Sequence, residues 1–177
     1  AGSNSDGIKI NPYGNDVIHD IIISNNNYDI KSYANGIFII TYKSGNIYNV
    51  LIENETISNV LHNAIYLNGV KNFNIKDSTI TFDASTYTWS AIRIDHSNYG
   101  NITNNNISDN KGNGIYLYYS NFVNIIGNTI TNNGYYGVYI YGSNNNNVNN
   151  NRIYRTNWRR VVWKDGMFRG IMQLYNN

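Results

Sequence analysis

The pattern Gly/Ala–Ile/Val–x–Ile/Leu occurs six times in this chain, beginning at Gly7, Gly36, Ala64, Ala91, Gly114 and Gly137. Successive copies therefore lie 29, 28, 27, 23 and 23 residues apart. A period of this size marks stacked supersecondary units, because a unit so short cannot bury its own apolar face. Inside each copy the apolar residues alternate: Ile115 and Leu117 point one way, Tyr116 and Tyr118 the other. That is the period of a β-strand. Ile8/Ile10, Ile37/Ile39, Ile65/Leu67, Ile92/Ile94 and Val138/Ile140 repeat the alternation.

A second strand signal follows each copy, clearest in residues 101–108, 124–131 and 147–154, which align without a gap. In that alignment Ile102, Ile125 and Val148 form one apolar column and Ile107, Ile130 and Ile153 another. Asn74, Asn101, Asn124 and Asn147 form a polar column, and Asn105, Asn128 and Asn151 a second. Parallel strands joined without a helical crossover cannot lie in a βαβ sheet, so the chain must coil on itself. Rungs stacked about 4.8 Å apart make an all-β, single-stranded parallel β-helix of six to seven coils, with Ile and Val inside. Asn suits its corners because it tolerates left-handed backbone and forms rung-to-rung ladders. The expected organisation is a polar segment over 1–6, the repeats over 7–155, and a degenerate last coil or a cap over 156–177.

The strand G-I-x-[IL] followed by N-x-[IV]-x-x-N-x-I resembles the repeats of right-handed parallel β-helices of the pectate-lyase-like superfamily, NosD-like type. The resemblance covers residues 7–155 and implies a fold more than an activity. That superfamily holds lyases, hydrolases, epimerases, adhesins, phage tail proteins and surface-layer proteins, so function has to come from sites.

A net charge of +2 with 14% charged residues offers no field to attract nucleic acid. The chain has no Cys, which removes a disulfide framework and thiolate metal sites. No apolar run reaches the ~20 residues of a membrane span. Abundant Asn, Ser, Gly and Tyr with little charge suits an extracellular or cell-surface setting. The start at Ala1 without a leader reads as a processed or excised segment. Asn54 and Asn106 head plausible glycosylation triplets.

Chemistry, if any, belongs on the outward side of the first strand. One outward column contains Lys9, Phe38, Tyr66, Arg93, Tyr116 and Tyr139; the next contains Asn11, Ile40, Asn68, Asp95, Tyr118 and Tyr141. Phe38, Tyr66, Tyr116, Tyr118, Tyr139 and Tyr141 would make an aromatic stripe, either a surface for sugar rings or a ladder that only stiffens the sheet. Within it Arg93, Asp95 and His96 form a polar island. Arg93 could pair with a uronate carboxylate while a base and a Tyr or His move protons; β-helix lyases, by resemblance, work this way. The alternative is an exposed ion pair of small energy. His19, His62 and His96 are too scattered for zinc. No cofactor is expected, although Asp77, Asp83 or Asp95 with Asn carbonyls could hold calcium.

The last segment contains Trp158, Arg159, Arg160 and Trp163, residue types favoured at interfaces. Lacking an N-terminal cap, the chain is expected either to have lost upstream residues or to associate end to end. Two function classes remain open: a non-catalytic surface scaffold, adhesin or filament subunit contacting polysaccharide or its own copies, and a polysaccharide lyase or epimerase acting at Arg93, Asp95 and His96.

Overall fold

The computed structural model describes residues 5–42, 46–81, 89–158 and 160–165, and the backbone of the strand Met172–Leu174. Every regular element among them is a β-strand, and all pairing is parallel between one coil and the next. Each of the first five coils contributes three strands, one more than the repeat suggested. The first face is a seven-stranded sheet of Ile8–Ile10, Ile37–Ile40, Ile65–Asn68, Ile92–Asp95, Ile115–Tyr118, Val138–Tyr141 and Val161–Lys164. The second face stacks Ile18–Ser24, Ile47–Glu53, Val70–Lys76, Asn98–Thr103 and Val123–Ile126. The third stacks Asn27–Asp29, Thr56–Ser58, Thr79–Thr81, Asn106–Ser108 and Thr129–Thr131. The strand Asn147–Tyr154 pairs with both.

The segment expected as one strand over 101–108 is broken at Asn104, whose φ of 56° turns the backbone between the second and third faces. Asn25, Asn54, Asp77 and Asn150 stand at the same corner of other coils with φ of 53–61°. Asn and Asp adopt this left-handed region more readily than other non-glycine residues, which is why the corner is written in them.

The expected columns stand in register. Ile37, Ile65, Ile92, Ile115 and Val138 follow one another on the first face and are fully buried. Ile57, Ile80, Ile107, Ile130 and Ile153 do the same on the third. One column departs from this regularity: Val50, Phe73, Gly100 and Val123 are successive. A side chain on Gly100 would run into the buried Phe73 ring, so large and small residues share two rungs of space.

Of the two Asn ladders, one is outside and one inside. On the surface Asn101 Nδ2 donates to Asn74 Oδ1 at 2.7 Å, and Asn124 Nδ2 to Asn101 Oδ1 at 2.9 Å. The inner ladder is completely buried. Asn128 Nδ2 donates to Asn151 Oδ1 at 2.9 Å and to the Ile102 carbonyl at 2.8 Å, while its Oδ1 accepts the Asn105 N–H at 2.9 Å. This inner column extends beyond the Asn residues: Ser78 N–H donates to Asn105 Oδ1, Glu55 N–H to Ser78 Oγ, and Asn26 Nδ2 to Glu55 Oε1. Buried polar groups in this column are tolerable because each residue finds such a partner, although Glu55 Oε2 is buried without one.

Candidate functional site: the aromatic face of the first sheet

The first sheet presents both outward columns as read from the sequence. Lys9, Phe38, Tyr66, Arg93, Tyr116 and Tyr139 are successive register partners, as are Ile40, Asn68, Asp95, Tyr118 and Tyr141. Parallel in-register pairing puts like positions one rung apart, the distance at which flat groups stack. Phe38 lies 5.2 Å from Tyr66 at an interplanar angle of 16°, Tyr116 lies 5.0 Å from Tyr139 at 13°, and Tyr118 lies 5.6 Å from Tyr141 at 21°. The Arg93 guanidinium occupies the gap in the pile, 5.2 Å from the Tyr66 centroid and 5.5 Å from that of Tyr116. Lys9 Nζ closes one end, 5.5 Å from Phe38. Cation–π contacts of this sort contribute about 0.5–1 kcal/mol each where partly exposed.

This stacking alters what the stripe can do. Ring faces that were expected to be open to sugars are turned to one another, and the half-buried rings offer edges and hydroxyl tips instead.

Arg93 and Asp95 are two residues apart on one strand, so both side chains leave the same face. Arg93 Nε donates to Asp95 Oδ1 at 3.0 Å and Nη2 to Oδ2 at 2.8 Å. Tyr66, one rung earlier, donates its hydroxyl to Asp95 Oδ2 at 2.9 Å, and Asn68 Nδ2 donates to that hydroxyl at 3.2 Å. The Asp95 side chain is 5% exposed and that of Arg93 26%. This is therefore not the exposed pair expected of a surface strand: the carboxylate is buried and fully engaged. Loss of one partner from such a pair leaves an uncompensated charge.

Titration of the face follows from burial. Burial works against the Arg93 charge, but the hydrogen bonds and charge of Asp95 outweigh it and raise its pKa. Burial, then the Asp95 charge, raises the Tyr66 hydroxyl. Burial pushes Tyr116 up to about 12, against the opposing pull of Arg93. A tyrosine whose folded pKa exceeds the unfolded value of about 10 contributes stability that is complete below pH 10 and lost as pH rises through the folded value. Denaturation midpoints are thus expected to fall between about pH 10 and 12, and Tyr116→Phe to reduce that fall. An equal alkaline slope in the variant would show that Tyr116 is not its source.

His96 stands apart from the ion pair. It is an exposed corner residue with φ of 46°, stacked on Tyr119 at 5.6 Å and 4° and edge-on to Tyr118 at 5.5 Å. His19 is bonded to Asp20 and stacked on Tyr48, and His62 lies against Trp89. Among the described residues no group of three or more His, Cys, Asp or Glu is gathered. Of the carboxylates considered for calcium, Asp95 is held by Arg93, Asp77 is exposed on a corner, and Asp83 lies outside the described residues.

At the far end, Trp158 is 65% exposed and tilted against Tyr135 at 5.6 Å. Trp163 takes the register position after Ile140, packs against the core, and donates its Nε1–H to the Ser143 carbonyl at 3.4 Å. It is a partly buried residue at an inward register position, whereas Trp158 stands out from the coil. Arg160 lies just before the strand that begins at Val161, and Arg159 lies outside the described residues.

Residues 6–175 match the family model described as the right handed beta helix region. The chain belongs to the right-handed β-helix family. The match is to that region in general and does not single out the NosD-like repeat type. No curated protein matches the chain in sequence. Within this right-handed β-helix, one group of exposed residues escaped the sequence reading. Tyr99, Tyr119 and Phe122 are 50, 44 and 46% exposed at the edges of the corner between the first and second faces. Their signal was present in H-S-N-Y over 96–99 and Y-S-N-F over 119–122, one period apart.

Proposed function

We propose that this β-helix is a non-catalytic extracellular scaffold that contacts polysaccharide through the hydroxyl-tipped face of its first sheet. The observation that carries the reading is the stacked pile itself. Its rings are already fixed by their neighbours at 5.0–5.6 Å, so a ligand would not have to order them, which lowers the entropic cost of binding. Tyr116, Tyr118, Tyr139 and Tyr141 then offer a two-column grid of phenolic hydroxyls able to donate to and accept from sugar hydroxyls.

The enzymatic alternative asks Arg93 to meet a substrate carboxylate. Its guanidinium is bidentate to Asp95, and Asp95 also takes the Tyr66 hydroxyl. A substrate would have to displace a buried pair before any chemistry began, and His96 stacks on Tyr119 instead.

Tyr→Phe changes separate contact from ladder, since they remove hydroxyls and keep rings. The variant with Phe at 116, 118, 139 and 141 is expected to melt as the parent does but to lose at least about tenfold in affinity, about 1.4 kcal/mol, measured by native gels containing xylan, hydroxyethyl cellulose or polygalacturonate. Unchanged retardation, or a parent that no polymer retards, would sink the reading. Release of unsaturated products from polygalacturonate by the parent, abolished by Arg93→Ala, would favour the lyase.

A further inference from the structure

From the third coil to the sixth, the corner between the first and second faces is built from four residues, 69–72, 96–99, 119–122 and 142–145, and at both outer positions the backbone is left-handed. Along one edge stand Gly69, His96, Tyr119, Gly142 and Asp165, with φ of 46–75°. Along the other stand Asp20, Asn49, Asn72, Tyr99, Phe122 and Asn145, with φ of 56–61°. Most of these are Gly, Asn and Asp, residues that accept such a backbone. Two adjacent coils instead carry bulky rings at both edges. A bulky residue at positive φ is a conformational outlier, and such outliers gather where a site needs them.

The rings do not hide in the core. His96 is stacked on Tyr119, and Tyr99 on Phe122 at 5.1 Å and 5°, all four standing out from the corner. Between the two stacks runs an amide strip. Asn121 N–H donates to Asn98 Oδ1 at 2.8 Å and Asn144 N–H to Asn121 Oδ1 at 2.7 Å, so each oxygen is engaged by the following coil, and Asn98 and Asn121 are themselves only partly buried. The next coil makes room for this arrangement: a Cβ on Gly142 would come within 2.6 Å of Tyr119 Cε1.

We infer that this crest, His96, Asn98, Tyr99, Tyr119, Asn121 and Phe122, is a second binding site that takes a neutral polysaccharide strand. The inference rests on the polysaccharide reading above and places a further site on it. A patch two rungs wide, with rungs about 4.8 Å apart, is far smaller than the roughly 800 Å² per partner of a stable protein interface. It suits one or two sugar rings. Exposed ring surface flanking amide side chains matches the apolar face and hydroxyl rim of a sugar. His96 is the one titratable side chain among the six besides the two tyrosines, and the Lys71 ammonium beside them is turned to the Tyr99 ring at 5.6 Å, which fits the crest to a neutral polymer. The crest also adjoins the hydroxyl face, since Tyr119 is edge-on to Tyr118 at 4.6 Å and to Tyr141 at 5.8 Å.

The test returns the column to its own residues. The double variant Tyr99→Asn, Phe122→Asn copies Asn72 and Asn145, so it is expected to melt at or above the parent temperature while retardation by xylan and hydroxyethyl cellulose falls about tenfold or more. Retardation equal to the parent overturns the crest. If the variant melts lower, nitration decides: on the parent, xylan is expected to protect Tyr99 and Tyr119 from tetranitromethane, mapped by mass spectrometry, and equal nitration with and without xylan overturns the proposal. A parent retarded by xylan, weakened by the sheet-face Phe changes but not by the crest changes, sinks the crest alone. A parent that no polymer retards sinks both.

Discussion

Asn128→Ala is expected to lower the unfolding free energy by about 3–5 kcal/mol, a loss in the range reserved for broken buried networks. The side chain is fully buried and makes both of its ends count. Removing it strands the Asn105 N–H and takes one bond each from the Ile102 carbonyl, Asn105 Nδ2 and Asn151 Oδ1, of which Asn105 Nδ2 keeps the Ile75 carbonyl and Asn151 Oδ1 keeps the residue-128 N–H. Each buried group left unpaired costs about 1–3 kcal/mol, partly relieved by relaxation. Asn124→Ala is the control. It removes a ladder bond of the same length, 2.9 Å, but one that water can replace, so about 0.5 kcal/mol or less is expected. Urea denaturation followed by circular dichroism measures both. Equal losses for the two variants would mean that the ladders act through backbone conformation and not through buried hydrogen bonds.

The contrast between those ladders shows what the repeat could reveal. Strand, register and column follow from period alone: Ile37 over Ile65 over Ile92 needs only like residues at like spacing. Which Asn column lies inside depends on where the coil turns, and the left-handed residue that sets the turn, Asn104 before Asn105, looks like any other Asn in the sequence. Glu55 and Ser78 share the inner column, but their residue types hid the position. The face of the first sheet was legible for the same reason as the core, since outward positions alternate with inward ones. Its chemistry was not. That Tyr66 reaches Asp95, and that Arg93 completes a pile of rings, are consequences of stacking between coils, which one coil's sequence does not contain. The crest is the opposite case: its pattern was repeated at 96–99 and 119–122, but the rule that bulky residues avoid left-handed backbone argues against placing them at corners.

Gly100→Val is expected to be rescued by Phe73→Val. Alone, Gly100→Val drives a branched side chain into the fully buried Phe73 ring, and overpacking a rigid core typically costs about 1–3 kcal/mol, more where nothing can yield. Phe73→Val alone leaves a void beside a residue with no side chain to fill it, at about 2–4 kcal/mol. Together they give successive valines at 50, 73, 100 and 123, a plain column of the kind the rest of the solenoid uses. The double variant is expected within about 1 kcal/mol of the parent, because volume is conserved and Val suits a strand interior better than Gly. The coupling energy from the four denaturation curves is then expected at or above about 3 kcal/mol, the top of the range for residues in contact. Additive losses would show that the two positions relax independently and that the ring does not occupy the space Gly100 leaves.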